Sequence, residues 1–390
     1  MPESAGHLSS ERTGLLLVNL GTPEAPTEVA VRAYLREFLS DPLVLDMPGW
    51  QRWLLLNLII LPRRPRVAAE AYAKIWTDRG SPLLFNGLDL VAAVQERMGG
   101  GVLVDLAMRY GRPSIGEALD RMRARGIRRV TAFPLYPQSS AAATGSSIGK
   151  LRECAGERGT PIELRVVPPF YDHPAYLDAC VRQAKPLLEA MRPERVLFSF
   201  HGLPERQIKK ADRSGAHCLA RAGCCDRLDE VNRSCYRAQS FATARLLGER
   251  LGLAEASRIV CFQSRLGRTA WIRPYTAELV VRLARQGVKR VAVLSPAFVA
   301  DCLETLEEIG IRAASSFREN GGETLQLIPS LNATAPWADA VITIAREASP
   351  WLRGMGAAGA PGPSISRGAS TLSACAGNVG VGAGAARAGP

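Results

Sequence analysis

TGLLLVNLGTPEAP, residues 13–26, is the stretch on which the fold turns. Leu15 to Leu20 is a short, continuous apolar run closed by Gly21 and Pro23, the pattern of a parallel strand covered on both faces. Seven further runs share it: Val102–Met108, Arg129–Phe133, Ile162–Val167, Val196–Phe200, Ile259–Phe262, Val288–Leu294 and Leu325–Ile328. Helical patterns such as 174–191, 234–251 and 275–286 lie between most of them, and one helix opens on a capping box, Ser114 with Glu117. Strand alternating with helix predicts parallel sheets under helical covers. Eight strands could close one barrel, but the roughly eighty residues between Leu20 and Val102 hold several helices, too irregular for repeating units. The expectation is an α/β protein of two doubly wound domains with about four strands each, 14–192 and 193–352, meeting near Pro193.

The flanks carry less. Residues 1–13 lack the apolar core of a signal peptide and are expected to be flexible. Residues 353–390 form a Gly/Ala-rich tail without acidic residues, predicted to be disordered because it cannot bury enough surface to offset its ordering entropy. At 47% hydrophobic and 22% charged residues, the 390-residue chain is not mainly disordered, collagen-like or integral to a membrane. A net charge of +12 points to acidic partners, namely nucleic acid, an anionic membrane face or a carboxylate-bearing small molecule, without choosing among them. No GxGxxG or GxxxxGK[ST] loop follows any of the strand runs, which lowers nucleotide-dependent readings. Trp50–Leu61, WQRWLLLNLIIL, precedes the basic run RRPR and is either a buried helix or an exposed apolar lip beside a membrane or ligand mouth. It is too short to span a bilayer.

In open parallel sheets, ligands gather at the carboxyl ends of the strands. His201 leaves the Val196 run in FSFHGLPER, a placement that fits a proton acceptor or, more blandly, an imidazole satisfied by a neighbouring carbonyl. SPAFVADCLETLEEIG follows the Val288 run and puts Asp301, Glu304 and Glu308 on one helix face, which is either a solvated surface or the acidic wall of a cleft. Arg109 and Tyr110 end the Val102 run, a cation and a ring suited to a flat anion. GSPL at 80–83 sets Ser81 near Tyr72 and Trp76, and FPLYPQSSAAATGSS at 133–147 has the small residues of a loop that a ligand approaches closely.

The chain has nine cysteines, an odd number, and four of them follow C-x5-C-C-x9-C: Cys218, Cys224, Cys225 and Cys235. Such crowding favours a metal centre in a reducing, cytoplasmic setting over disulfides. Zinc is one candidate, with His217 able to replace a thiolate. The adjacent Cys224 and Cys225 are expected to strain around one tetrahedral ion, which points instead to the two metal positions of a 2Fe-2S cluster.

With FSFHGLPER, SPAFVADCLETLEEIG, VNLGTPEAP, GSPL, YPQSSAAATGSS and FQSRLGRTAWIRPYT in order, residues 14–350 resemble the ferrochelatases, enzymes that insert ferrous iron into a porphyrin. The resemblance implies two similar Rossmann-like domains with the porphyrin in the cleft between them, and a final helix, near 336–348, packing back on the first. It implies catalysis by His201 and Glu304 with Asp301 beside them, iron contacts at His201 and Glu304, and a porphyrin pocket that includes Leu20, Tyr72, Ser81, Arg109, Tyr110 and Trp271. Ser139 stands where relatives often carry Tyr after YPQ, and Cys302 where some carry His beside the acids. The cysteine loop, 212–236, is similar to that of bacterial members whose 2Fe-2S ligands lie inside the chain. The reaction implied is protoporphyrin IX and ferrous iron to protohaem. Its alternatives are a coproporphyrin or other tetrapyrrole chelatase and a non-enzymatic iron–sulfur haem sensor or carrier. The implied partners are the porphyrin, iron and a membrane surface touched peripherally by 50–61, with no nucleic acid.

Overall fold

Leu15, Leu16, Leu17 and Val18 are all fully buried, and the computed structural model shows why. They form the interior of β1 (Thr13–Gly21), paired in parallel on both sides. The structure describes residues 12–157, 161–265, 267 and 269–353; of the flexible N-terminus expected for residues 1–13, residues 1–11 lie outside them and Thr13 is instead the buried first residue of β1, while the tail beyond 353 also lies outside.

The first sheet has the order β2-β1-β3-β4, with β2 at Val102–Tyr110, β3 at Arg129–Pro134 and β4 at Glu163–Val166. The second repeats it as β6-β5-β7-β8, with β5 at Arg195–His201, β6 at Arg258–Gln263, β7 at Arg290–Leu294 and β8 at Thr324–Leu327. All pairs are parallel, so helices must make the crossovers. In the first half these are α1 (Glu28–Ser40), α2 (Gly49–Leu54), α3 (Leu61–Ala73), α4 (Pro82–Met98), α5 (Ile115–Ala124), α6 (Ser146–Glu157) and α7 (Pro174–Met191). The second half adds α8 (Glu205–Ala211), α9 (Tyr236–Arg250), α10 (Thr276–Arg285), α11 (Leu303–Thr305), α12 (Ala314–Glu319) and α13 (Ala335–Ala348). A π-helical stretch, Leu306–Ala313, joins α11 to α12, and a second, Leu55–Ile60, joins α2 to α3.

Strand alternation sorts the core. Leu15 and Leu17 join one apolar cluster while Leu16 and Val18 face another under α5 and α6. The first cluster runs through both sheets, from Leu17 and Phe133 to Phe198 and Phe200. Trp337 of α13 is fully buried in it, edge-on to Phe133 at 6.4 Å and to Tyr176 at 6.0 Å. Arg97 of α4 binds Asp339 of α13 at 2.9 Å. The two sheets therefore share packing across the chain's change of sheet at 192–194, and their carboxyl ends face a common space.

Residues 50–61 are helical, yet Trp50 (66%), Trp53 (59%) and Leu58 (61%) are exposed, and only Leu56 and Leu61 are buried. The segment is therefore not the buried helix that is one of the two readings; most of its apolar side chains are exposed, and none of them lines the cavity described below.

Candidate active site

The cavity begins where β1 ends. Gly21 has φ +119°, and a Cβ there would lie 1.8 Å from the Tyr110 carbonyl oxygen, so only glycine lets β1 and β2 approach this closely. The cavity, an empty volume of about 1350 Å³ including its open mouth, is walled by Leu20, Tyr72 and Ser81 of the first half and by His201, Phe298 and Glu304 of the second. Its lining is mostly apolar with a few hydroxyls, the make-up of a site for a large flat ligand. Ser81 Oγ lies 2.7 Å from Thr22 Oγ1, holding the GSPL turn against the end of β1. Burial raises the Tyr72 phenol far above its ordinary range, and the charge of Glu304 from the facing half adds to the effect.

His201 is the last residue of β5. Its Nδ1–H donates to the Gly202 carbonyl at 2.5 Å, because a carbonyl can only accept. In the neutral ring, Nε2 then carries the lone pair, the tautomer a proton acceptor needs. The ring sits between Trp271 and Phe298, each 6.3 Å away centre to centre. A Cβ at Gly202 would meet the Gln263 carbonyl at 2.7 Å, so the HG pair allows this packing. Glu304 lies in the first turn of α11, whose path is fixed by Gln263 Nε2 donating to the Glu304 carbonyl at 2.6 Å. The buried Cys302 thiol hydrogen-bonds the Glu304 side chain, and burial with that neighbouring charge pushes the thiol well above its usual range.

Several expected site residues stand elsewhere. Asp301 does not line the cavity: its carboxylate accepts from Thr305 Oγ1 (3.0 Å), Ser330 N–H (3.2 Å) and Asn332 Nδ2 (2.8 Å), tying the β7 exit to the loop after β8. Arg109 and Tyr110 are likewise off the lining. Both bind Asp41, Arg109 Nη2 at 2.7 Å and the Tyr110 hydroxyl at 2.8 Å, while Ser146 Oγ donates to the same oxygen at 2.6 Å. Burial alone would raise the Asp41 carboxyl, but the hydrogen bonds from Ser146, Leu43 N–H and Tyr110, with the Arg109 charge, outweigh it and hold the pKa below the ordinary value. The cation at the end of β2 is therefore neutralised inside the first half. Trp271 packs behind His201, its indole donating to Thr269 Oγ1 at 3.2 Å. Glu308 accepts from Ser264 N–H (2.8 Å) and Oγ (2.7 Å).

The four clustered cysteines are all buried in the loop between α8 and α9. Cys224 and Cys225 sulfurs are 3.7 Å apart, and the Cys235 sulfur accepts from the Cys225 and Cys218 thiols and from N–H groups opening α9, which lowers its pKa. Arg237 Nη1 donates to Cys225 Sγ at 2.9 Å, and Leu219 N–H to Cys224 Sγ at 3.4 Å. Asp212 shapes the loop by accepting from the N–H groups of Ser214, His217 and Cys218 (2.7–2.9 Å), which holds its carboxyl far below the ordinary range. Buried Asn232 donates to the carbonyls of Cys224 (2.9 Å) and Arg227 (2.7 Å). Among the described residues no group of three or more His, Cys, Asp or Glu side chains is arranged to hold a metal ion; the four thiols form a chain of contacts, Cys224 to Cys225, Cys225 to Cys235 and Cys235 to Cys218. Two thiolates on one ion with bonds of about 2.3 Å stand about 3.7 Å apart, so the expected strain at Cys224 and Cys225 is absent. His217 Nε2 donates to the Cys224 carbonyl at 3.2 Å and is thereby occupied.

With this geometry in place, the ferrochelatase profile matches residues 12–349. The chain belongs to the ferrochelatase family. A ferrochelatase of Pseudomonas fluorescens is 47% identical over 335 residues, 86% of this chain and 97% of the relative. That of Azotobacter vinelandii is 49% identical over 333 residues, 85% and 98% of the two chains. Among solved structures, SirB from Bacillus subtilis with Fe3+ aligns over 88% of this chain and 99% of its own at 12% identity and TM-score 0.47, too distant to carry an argument. What the motifs do not carry is Tyr236, a cavity residue whose hydroxyl donates to the His201 carbonyl at 2.9 Å. Its signal was adjacency: it directly follows Cys235.

Proposed function

We propose that the protein inserts ferrous iron into protoporphyrin IX to form protohaem, the last step of haem synthesis. The observation that carries this reading is the single cavity shared by His201 and Glu304, contributed by the ends of neighbouring strands and faced by a hydroxyl-bearing apolar wall. A free porphyrin holds two inner N–H protons where the metal must go, and a flat ring points its nitrogen lone pairs inward. Rigid walls on both faces of the slot can hold the ring bent, with contacts far from the reacting centre supplying the strain energy. His201 Nε2, left basic by the Nδ1–H bond to Gly202, accepts a pyrrole proton. Glu304 supplies an oxygen donor of the kind that replaces water on ferrous iron and passes a proton toward the mouth.

Four buried thiols with N–H and guanidinium donors aimed at their sulfurs suit a 2Fe-2S cluster held by Cys218, Cys224, Cys225 and Cys235. Such a cluster supplies one-electron redox chemistry and a structural cross-link, and none of the insertion steps above passes through it. A colourless, zinc-containing preparation would count against the cluster.

The exposed Trp50, Trp53 and Leu58, followed by Arg63, Arg64 and Arg66, support peripheral contact with an anionic membrane from the cytoplasmic side. Among the described residues no helix is long and apolar enough to cross a membrane. Anaerobic iron insertion with protoporphyrin IX and with coproporphyrin tests the whole reading. Turnover of protoporphyrin is expected; turnover of coproporphyrin alone would reassign the substrate, and binding without turnover would make the protein a carrier.

A further inference from the structure

Gln263 ends β6 beside His201, its register partner at the end of β5, and is buried. It does not line the cavity, yet it is bonded to both segments that carry the reacting side chains. Its carbonyl accepts from the Gly202 N–H at 2.8 Å, fixing the turn that presents the imidazole. Its side chain reaches the other way, with Nε2–H donating to the Glu304 carbonyl at 2.6 Å. A carbonyl can only accept, so the NH2 end of the amide faces Glu304 and Oε1 faces Ser199, whose Oγ–H donates to it at 2.7 Å. That hydroxyl has then used its one proton, so the 2.9 Å bond between Ser199 and Thr276 is donated by Thr276, the first residue of α10. Ser199 and Thr276 are both buried, and the relay Thr276–Ser199–Gln263–Glu304 leaves the amide one orientation. The next residue, Ser264, has φ +66°, a left-handed conformation that carries a steric cost for a serine. Its N–H and Oγ hold the Glu308 carboxylate at 2.8 and 2.7 Å. The β6 exit thus grips the facing segment at two points one turn apart, on either side of the change from α11 to the π-helical stretch. Strain of this kind persists only where the surrounding bonds over-determine the position.

We propose that Gln263 is a positioning residue for metal insertion, whose side-chain amide sets where Glu304 stands relative to His201. This rests on the insertion reading above. The His201 turn and the Gln263 main chain belong to neighbouring strands of one sheet, whereas α11 is three residues long, too short to hold its own direction. The amide bond ties that short helix to the sheet. Thr305, donating to Asp301 at 3.0 Å, anchors the other side of the same turn, so losing the amide is expected to tilt Glu304 without unfolding the segment. Glu304 then keeps its carboxylate and its place in the cavity wall but loses the angle and distance that pair it with the base across the slot.

Steady-state insertion by the full-length protein tests this. Gln263→Met keeps the length of the side chain and deletes both of its hydrogen bonds. It is expected to lower kcat about tenfold, the size usual for a group that orients another, and to raise the KM for iron. The KM for porphyrin is expected to stay within about twofold, because the residue lies outside the cavity. A cycle with Glu304→Gln gives the readout that a merely structural role would not move. In that background Gln263→Met is expected to cost less than about twofold, since the carboxylate it aims is already gone. Losses that multiply in full, or an unchanged kcat in Gln263→Met, overturn the proposal. Ser199→Ala leaves Gln263 in place and frees its amide to turn, so it decides the matter if Gln263→Met does not fold. A loss of about threefold in kcat, again small in the Glu304→Gln background, is expected, and no loss overturns the proposal. If wild type inserts iron into neither porphyrin, the insertion reading fails instead. Gln263 is then judged by ferrous iron affinity in equilibrium dialysis, where a weaker value in Gln263→Met is expected and an equal one overturns its role.

Discussion

The two halves of the molecule share a sheet order and differ in what leaves the strands. In the first half the exits of β1 and β2 carry Leu20, Gly21 and a cation–carboxylate pair, Arg109 with Asp41, sealed by Tyr110 and Ser146. In the second, the exits of β5 and β7 carry His201 and the segment that ends in Glu304. One half is a wall whose polar groups satisfy one another; the other presents groups with unspent capacity to the slot. Both halves wall the slot, and on the function proposed above the second half adds to its share of the wall the two groups that would carry the chemistry.

Each side of that division can be attacked separately. The largest effect is expected at His201→Ala, with insertion down by about a thousandfold, in the range for loss of a proton acceptor. Glu304→Gln, which keeps the shape and removes the charge, is expected to lower insertion by about a hundredfold and to raise the KM for iron more than that for porphyrin, read by steady-state kinetics. On the first half, Asp41→Asn is expected to cost about 2 kcal/mol of stability in urea titration while kcat of the folded fraction stays near wild type, since it strands Arg109 in a largely buried site. The pH dependence has a definite sign. Because the folded pKa of Asp41 is lowered, its contribution is fully present above the ordinary aspartate value of about 3.9 and is lost as pH falls through the folded pKa. Wild type should therefore lose stability on acidification faster than Asp41→Asn does. The smallest effect belongs to the rim: Trp53→Ser with Leu54→Ser is expected to leave stability within about 0.5 kcal/mol, since both side chains are exposed, and to slow porphyrin uptake from anionic vesicles. Unchanged uptake would sever the lip from substrate delivery.

The fold was legible because its signal is local. Runs such as Leu15–Leu20 lie in parallel strands covered on both faces, and that leaves an unbroken apolar stretch in the sequence. His201 was legible for a related reason, since a strand followed at once by HGLP puts an imidazole at a sheet edge. Arg109 and Asp301 misled because a charge at a strand exit reads the same whether it faces a ligand or a partner. Their partners, Asp41 and Asn332, are 68 and 31 residues away in sequence. Tyr236, a cavity residue, left no trace in the motifs because its hydroxyl bonds a main-chain carbonyl 35 positions earlier, which no spacing records.

The division between the halves is tested most directly by titrating the double variant His201→Ala, Glu304→Gln with protoporphyrin IX and following fluorescence beside an insertion assay. The account predicts porphyrin affinity within about threefold of wild type, well under 1 kcal/mol, together with no measurable insertion. An affinity that collapses along with turnover would mean that His201 and Glu304 themselves hold the ring, and the separation of holding from chemistry would be wrong.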